Sequence, residues 1–311
     1  MKEHSTPIAS VLIGSRNRPT TVLAAVKSAL VQSVQDVEVL VLDDCSEEAS
    51  AYPLAIAQLN DERVRLLRSA RSLGVAGGRN LLEQAARASV LIILDDDAVF
   101  DDVEAIARLV SIIEHEPNVG IVAVKVRDFR NGKESLLVPF SRAFLHLDPK
   151  QVDRAQDVAY YVGTCHAVTR KCLEACGGYR DDMVYGSEEL DRSYRAIQQG
   201  YRIQYAPEVV ISHHPAPSVV VQQSQHNGEV YHDLRNRYYI AYRYLPWQYA
   251  LSYETVWTVR TLVRCLARRQ LFDWLHTLHG VRAWARKNTT RQPLNAQQVA
   301  YVKEHHGRLW Y

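Results

Sequence analysis

Val90-Leu91-Ile92-Ile93-Leu94-Asp95-Asp96-Asp97 sets five apolar residues directly against three carboxylates. A short apolar run stopped abruptly by charge reads as a buried strand with its end at a polar edge. The pattern recurs along the first half of the chain. Residues 8–13 form an apolar run closed by Gly14 and followed by Ser15-Arg16-Asn17-Arg18. Residues 37–42 stop at Asp43-Asp44, residues 64–67 form a third short strand, and residues 119–126 a fifth. Between them the spacing turns helical. Val22, Ala25, Val26, Ala29 and Leu30 recur after Pro19, and residues 49–59, 80–88 and 103–113 also read as helices. Strands alternating with helices imply an α/β fold with βαβ units in an open, mostly parallel sheet. Ligands bind such sheets outside the carboxyl ends of the strands. Each polar cluster alone could be a helix cap, since Asp and Asn favour that position. Three clusters at three strand ends point to one edge of the sheet.

Composition sets the bounds. Apolar residues at 47% and charged residues at 23% of 311 positions suit a globular chain with one large α/β domain and an appendage, or two small domains. The net charge of +2 is unevenly spread: residues 217–311 hold 13 Lys and Arg against 5 Asp and Glu, leaving residues 1–216 acidic. A basic tail either meets an anionic surface or presents a solvated helical face. Five scattered cysteines, among them Cys172 and Cys176 four apart on an expected helix, argue against a disulfide framework and offer no zinc set. Reduced thiols, a start at Met1-Lys2-Glu3-His4 without an apolar signal segment, and no run near the roughly 18–20 apolar residues of a membrane span predict a cytoplasmic protein. Membrane contact, where present, would be peripheral.

Chemistry concentrates in a few segments. Burying Asp95-Asp96-Asp97 without a cation would be costly, because like charges must be neutralised or protonated. Alternating carboxylates suit Mg²⁺ or Mn²⁺, and such a metal could neutralise a departing diphosphate. Ser187-Glu188-Glu189-Leu190-Asp191 follows Gly177-Gly178-Tyr179 and opens an expected helix over 188–199. Its carboxylates either complement the helix dipole or supply a general base for an attacking hydroxyl. His213 follows the strand-like Val209-Val210-Ile211 and could join a metal through a neutral imidazole. Residues 74–78 read as a glycine-rich turn, but lack the spacing of a dinucleotide or P-loop motif. Arg79, just after them, can make a charge-assisted contact with a nucleotide or diphosphate.

In this order the motifs resemble family 2 glycosyltransferases, which have the GT-A fold. Asp43-Asp44-Cys45-Ser46 looks like the family's nucleotide-binding segment, Gly74 through Asn80 like its G-x-A-x-x-R-N signature, and Leu94-Asp95-Asp96-Asp97 like its DxD metal motif. Gly163-Thr164-Cys165, Gly177-Gly178-Tyr179 and Ser187 through Asp191 are similar to its acceptor half and base motif. The resemblance covers about residues 7–216. It implies a Rossmann-like catalytic domain over 1–216, with a nucleotide half at about 1–127 and an acceptor half at about 128–216. Residues 128–158 would form an excursion over the active-site face, and 217–311 a basic, aromatic-rich helical region.

The resemblance further implies a metal, Mn²⁺ or Mg²⁺, on Asp95, Asp97 and His213. Asp43, Asp44, Arg79, Asn80 and Asp96 would hold the nucleotide, and Glu189 would deprotonate the acceptor in an inverting displacement. The family often has Asp where this chain has Glu189, one methylene longer, so Glu188 stays in reserve. The implied donor is a UDP- or dTDP-sugar and the acceptor a sugar or lipid-linked sugar. Nucleic acid is not expected. Through Arg260, Arg264, Arg268 and Arg269, interleaved with Val259, Leu262, Val263 and Leu266, residues 217–311 would touch the inner face of a membrane, pack on the catalytic domain or form a homo-oligomer. Two alternatives remain: a sugar-phosphate nucleotidyltransferase, whose glycine-rich N-terminal loop is missing, and a non-catalytic sugar-nucleotide-binding protein, against which the intact carboxylate set argues.

Overall fold

A computed structural model describes residues 6–48, 51–183, 186–215, 229–267 and 271–309. Ten strands among them join in one sheet: β1 (Ala9–Ser15), β2 (Val37–Asp43), β3 (Val64–Arg68), β4 (Val90–Leu94), β5 (Ala98–Phe100), β6 (Val119–Asp128), β7 (Ser135–Leu137), β8 (Gln156–Val158), β9 (Cys165–Thr169) and β10 (Arg202–His213). The order is β3-β2-β1-β4-β9-β6-β10-β5, with β7 on β6 and β8 on β10. β3, β2, β1 and β4 run parallel, as do β6 and β10. β9 lies antiparallel between β4 and β6, so the sheet is mixed while its long strands share one direction. β5, β7 and β8 are three residues each, too short for a periodicity to register.

Seven helices belong to this layer system: α1 (Pro19–Leu30), α2 (Ala51–Ala57), α3 (Gly74–Ala85), α4 (Ala105–His115), α5 (Arg142–Leu147), α6 (Arg170–Cys176) and α7 (Glu188–Gln198). The central strands are buried on both faces, which is why they read as continuous apolar runs. Alternation still divides them. Val11, Ile13, Val39, Val41 and Ile92 face α1 and α4, while Leu12, Leu40, Leu42, Leu91 and Ile93 face the layer of α3 and α7. α1 starts with Pro19, whose missing N–H costs nothing at a helix N-terminus. The glycine stretch 74–78, expected as a turn before the helix, is itself the first turns of α3. A Cβ on Gly78 would lie 3.2 Å from Leu42, so the missing side chain lets α3 lie close on β2.

Four more helices follow: α8 (Glu229–Tyr244), α9 (Trp247–Ala267), α10 (Leu271–Lys287) and α11 (Ala296–Glu304). Tyr239, Ile240, Tyr244, Tyr249, Tyr253, Leu294 and Val302 share a core with Tyr160, Met183, Leu190, Tyr194 and Ile197. Much of the aromatic content of this region is therefore interior, packed on the face that carries α7. Among the described residues Trp247 is exposed, at 61%, and Trp257 and Trp284 are half-buried. The boundary expected near residue 216, and Arg268 and Arg269, lie outside the described residues.

One buried ion pair ties α3 to α7. Arg192 is fully buried, forks onto Glu83 at 2.5 and 2.9 Å, and stacks over the Tyr179 ring at 3.4 Å. Removing one partner strands the other charge in a dry interior. Glu83→Ala should cost about 3–5 kcal/mol in urea unfolding, while Glu83→Met with Arg192→Met recovers most of it. Equal losses in the single and double variants would contradict this.

Candidate active site

The carboxyl edge of the sheet gathers the charged residues. Asp95 follows β4, and its N–H donates to the Thr164 carbonyl at 2.9 Å. Asp96 turns inward, accepting from Ser15 Oγ at 2.5 Å and pairing with Arg18 at 2.8 Å. Burial pushes its carboxyl up to about 7, against the pull of Arg18. Asp97 meets the other arm of Arg18 at 2.9 Å and His213 Nε2 at 3.2 Å. Burial opposes its charge, yet these contacts outweigh burial and hold its carboxyl below the ordinary range. Burial also raises Asp95, to about 6, with Arg79 opposing.

Candidate ligand atoms of Asp95, Asp97 and His213 all lie within 4.8 Å of one another. The donor set of two carboxylates and an imidazole fits a Mn²⁺-type ion. His213 has a further support that sequence reading missed. Its Nδ1 contacts Asp128 Oδ1 at 2.8 Å, which turns Nε2 toward Asp97. A carboxylate behind a histidine is the usual arrangement for fixing the tautomer of a metal ligand. Asp128 ends β6 at the same sheet edge, the one signal that could have found it. Arg18, which binds two of the three aspartates, was also missed. It stood in a polar cluster without a distinguishing pattern.

Arg79 links this centre to α7. The guanidinium is buried; Nη2 reaches Asp95 at 3.3 Å and the Gly163 carbonyl at 2.9 Å, and Nη1 reaches Glu189 at 3.1 Å. Glu189 is thus held beside the aspartates although it lies far away in sequence. Gly163 leaves the room: a Cβ there would fall 1.9 Å from Glu189 Oε1. Glu188 makes no such ion pair, though Arg79 and Asp95 act on its charge. Its Oε2 is buried without a hydrogen-bond partner, and burial, aided by the charge of Glu189, pushes its carboxyl up to about 7.

The remaining expected nucleotide residues are engaged within the protein. Asp43 accepts from the Ser46 N–H at 2.9 Å and pairs with Arg68. Asp44 accepts from Ser69 Oγ, Ser72 Oγ, Leu73 N–H and Gly74 N–H at 2.7–3.0 Å, which fixes the loop that leads into α3. Asn80 receives the Tyr179 N–H at 2.7 Å and donates to the Tyr179 carbonyl and Asp181, both at 2.8 Å. It therefore staples the Tyr179 segment to α3. Each Asp44 oxygen already accepts two hydrogen bonds, so direct contact of Asp44 with a nucleotide would require one of them to break.

A mixed, Rossmann-like α/β sheet with carboxylates at one edge is the GT-A architecture of glycosyltransferases. The chain belongs to glycosyl transferase family 2, whose family model matches residues 10–177. It is 40% identical over 91 residues to the succinoglycan biosynthesis protein ExoO of Rhizobium meliloti (strain 1021), covering 29% of this chain and 26% of that one. It is 29% identical over 93 residues to the UDP-Glc:alpha-D-GlcNAc-diphosphoundecaprenol beta-1,3-glucosyltransferase WfgD of Escherichia coli, covering 30% and 36%. The chain thus spans about a quarter to a third of these curated relatives. Among solved structures, it superposes on the mannosyltransferase PcManGT of Pyrobaculum calidifontis, in complex with GDP-Man and Mn²⁺, with a TM-score of 0.55 and 18% identity, over 96% of this chain and 79% of that one.

Glu188 provides a test of the electrostatics. Its folded carboxyl is raised, so ionising it opposes folding. The penalty is absent below the ordinary carboxylate range, grows as pH rises toward 7, and is constant above. Glu188→Gln should raise the melting temperature at about pH 8 and leave it little changed at about pH 4. The same shift at both pH values would contradict an ionisation penalty.

Proposed function

We propose that the chain is an inverting, divalent-cation-dependent glycosyltransferase that moves a sugar from a nucleoside diphosphate to an acceptor hydroxyl in glycoconjugate assembly. The observation that carries this reading is Arg79, which holds Glu189 and Asp95 on one guanidinium. Base and charged centre are thereby set side by side, as a displacement at a sugar carbon requires. Asp95, Asp97 and His213 would hold Mn²⁺ or Mg²⁺, with Asp128 orienting the histidine. Such an ion, when bound, supplies positive charge for the departing diphosphate.

The protein's own residues do the rest. Glu189 takes the proton of the acceptor hydroxyl through its carboxylate. Arg79 keeps that carboxylate aimed. Asp43, Asp44 and the loop they fix, residues 68–74, border the nucleotide, so Asp44 acts by shaping the loop. Glu188 is the reserve base, but its buried, unpartnered oxygen favours Glu189. We take residues 1–216 as the catalytic domain and 217–311 as its helical cover.

Donor and acceptor follow from the relatives. The Escherichia coli enzyme's name specifies UDP-Glc and a diphosphoundecaprenol acceptor, so a UDP-sugar and a lipid-linked sugar are our first assignment. A surface on α9 supports work beside a membrane. Trp247, Leu251, Val259, Val263 and Leu266 lie exposed along α9, and Arg260 is exposed beside them. The helix has 21 residues, about 30 Å at about 1.5 Å per residue. Among the described residues no helix is long and apolar enough to cross a membrane. An exposed apolar surface with an arginine beside it suits the interface of an anionic bilayer at the inner face of the membrane.

Three outcomes follow. Glu189→Gln should keep nucleotide-sugar binding while turnover falls roughly 10²–10⁴-fold, the range typical for loss of a general base; loss in Glu188→Gln but not in Glu189→Gln would move the assignment back one residue. Mn²⁺ should raise the melting temperature of the parent protein and not that of Asp97→Ala, because an ion bound only by the native state stabilises it; equal shifts would remove the metal site. Vesicles with anionic lipid should co-sediment the protein at low salt, and Val259→Ser with Val263→Ser should weaken this; equal binding to neutral vesicles, or none to either, would reject the membrane surface.

A further inference from the structure

The segment that carries Glu189 is gripped from outside the catalytic layer. Asn236 on α8 is fully buried, and its Nδ2 donates to the Gly186 carbonyl at 2.8 Å. The adjacent Arg235 donates to the Asp182 carbonyl. Further along the same helix, the hydroxyls of Tyr239 and Tyr244 both donate to Asp191 Oδ1, at 3.0 and 2.6 Å. The other oxygen of Asp191 receives Arg195 at 2.6 Å. Gly186 and Asp191 bracket Ser187-Glu188-Glu189-Leu190, so one helix holds both ends of the segment.

That segment needs holding. Ser187 sits in the left-handed region at φ 75°, a conformation that non-glycine residues keep only where their surroundings enforce it. Glu188 and Glu189 place two carboxyls side by side at the start of α7, and burial already raises the first. Arg79 and the bare Gly163 fix where the Glu189 carboxylate must lie, but neither fixes the backbone that delivers it. The third acid of the motif, Asp191, is buried, and its oxygens are engaged by two tyrosines and an arginine. It is an anchor for α8.

We propose that Asn236 and Tyr244 are positioning residues, through which α8 sets the 186–191 segment so that Glu189 meets Arg79 and Gly163. This rests on the reading of Glu189 as the base. It makes the C-terminal helices a working part of the catalytic unit, beyond their role as its cover.

The test uses the full chain with four variants: Tyr244→Phe, Asn236→Leu, Asp191→Asn and Asp191→Leu. Tyr244→Phe removes one hydroxyl and keeps the ring in the core, so it folds even where Asn236→Leu does not. Tyr244→Phe should lower kcat roughly ten- to hundredfold with donor KM nearly unchanged, since a misplaced group costs turnover and leaves donor binding intact. Hydrogen–deuterium exchange over 186–191 should quicken in the same variant. Asp191→Asn retains an oxygen for both tyrosines and should keep most activity, whereas Asp191→Leu should not. In a Glu189→Gln background the further loss from Tyr244→Phe should vanish, because a residue acting through the base has nothing left to position. Fully additive losses, or unchanged exchange over 186–191, would overturn the proposal. Full activity of Glu189→Gln alone would remove the base reading instead, and exchange over 186–191 would then decide the α8 contact by itself.

Discussion

The site depends on one buried guanidinium. Arg79 lies between a strand-end aspartate and a helix-start glutamate that the chain separates by more than ninety residues. A buried cation must be paired, and two carboxylates turned toward one another repel unless a cation or a proton lies between them. Each therefore requires the other. The surrounding sequence serves this arrangement: Gly78 lets α3 lie on the sheet, Gly163 leaves space for Glu189, and Asn80 staples the Gly178-Tyr179 turn that leads toward α7. Behind it, Tyr179 lies between Arg79 and Arg192, and Glu83 balances the second arginine.

The opposite side of the centre follows the same rule with different residues. Asp95, Asp96 and Asp97 are successive, yet each has its own partner and its own proton affinity. Asp96 is raised by burial and faces Ser15 and Arg18. Asp97 is held charged by His213 and Arg18. Asp95 is the most open of the three, at 35% side-chain exposure, and leans on Arg79. Asp95 and Asp97 thus lie on the side of His213, while the middle one serves the sheet.

Much of this was legible in the sequence because buried strands ended by charge are hard to mistake. The strands before Asp43 and Asp95, the helix at Glu188 and the edge on which they converge all carry local signals. The antiparallel β9 was not legible, since Cys165 to Thr169 is five mixed residues whose direction is set by its neighbours. Asp128 and Arg18 are single charges whose meaning lies in what they touch across the sheet. Asp44, Asn80 and Asp96 sit within or beside recognised motifs, but their hydrogen bonds go to the protein. The tail's aromatics could have faced lipid, another subunit or the catalytic layer. Only packing shows that Tyr239, Tyr244 and Tyr253 are interior while Trp247 is not.

In the reading we propose, Glu189 acts as the base of a single displacement with no covalent intermediate. The most direct measurement is the anomeric configuration of the bond formed, read by proton NMR of the product made from an α-linked nucleoside diphosphate sugar. A β-linked product is the expected result. An α-linked product would contradict a displacement in which Glu189 acts only on the acceptor's proton.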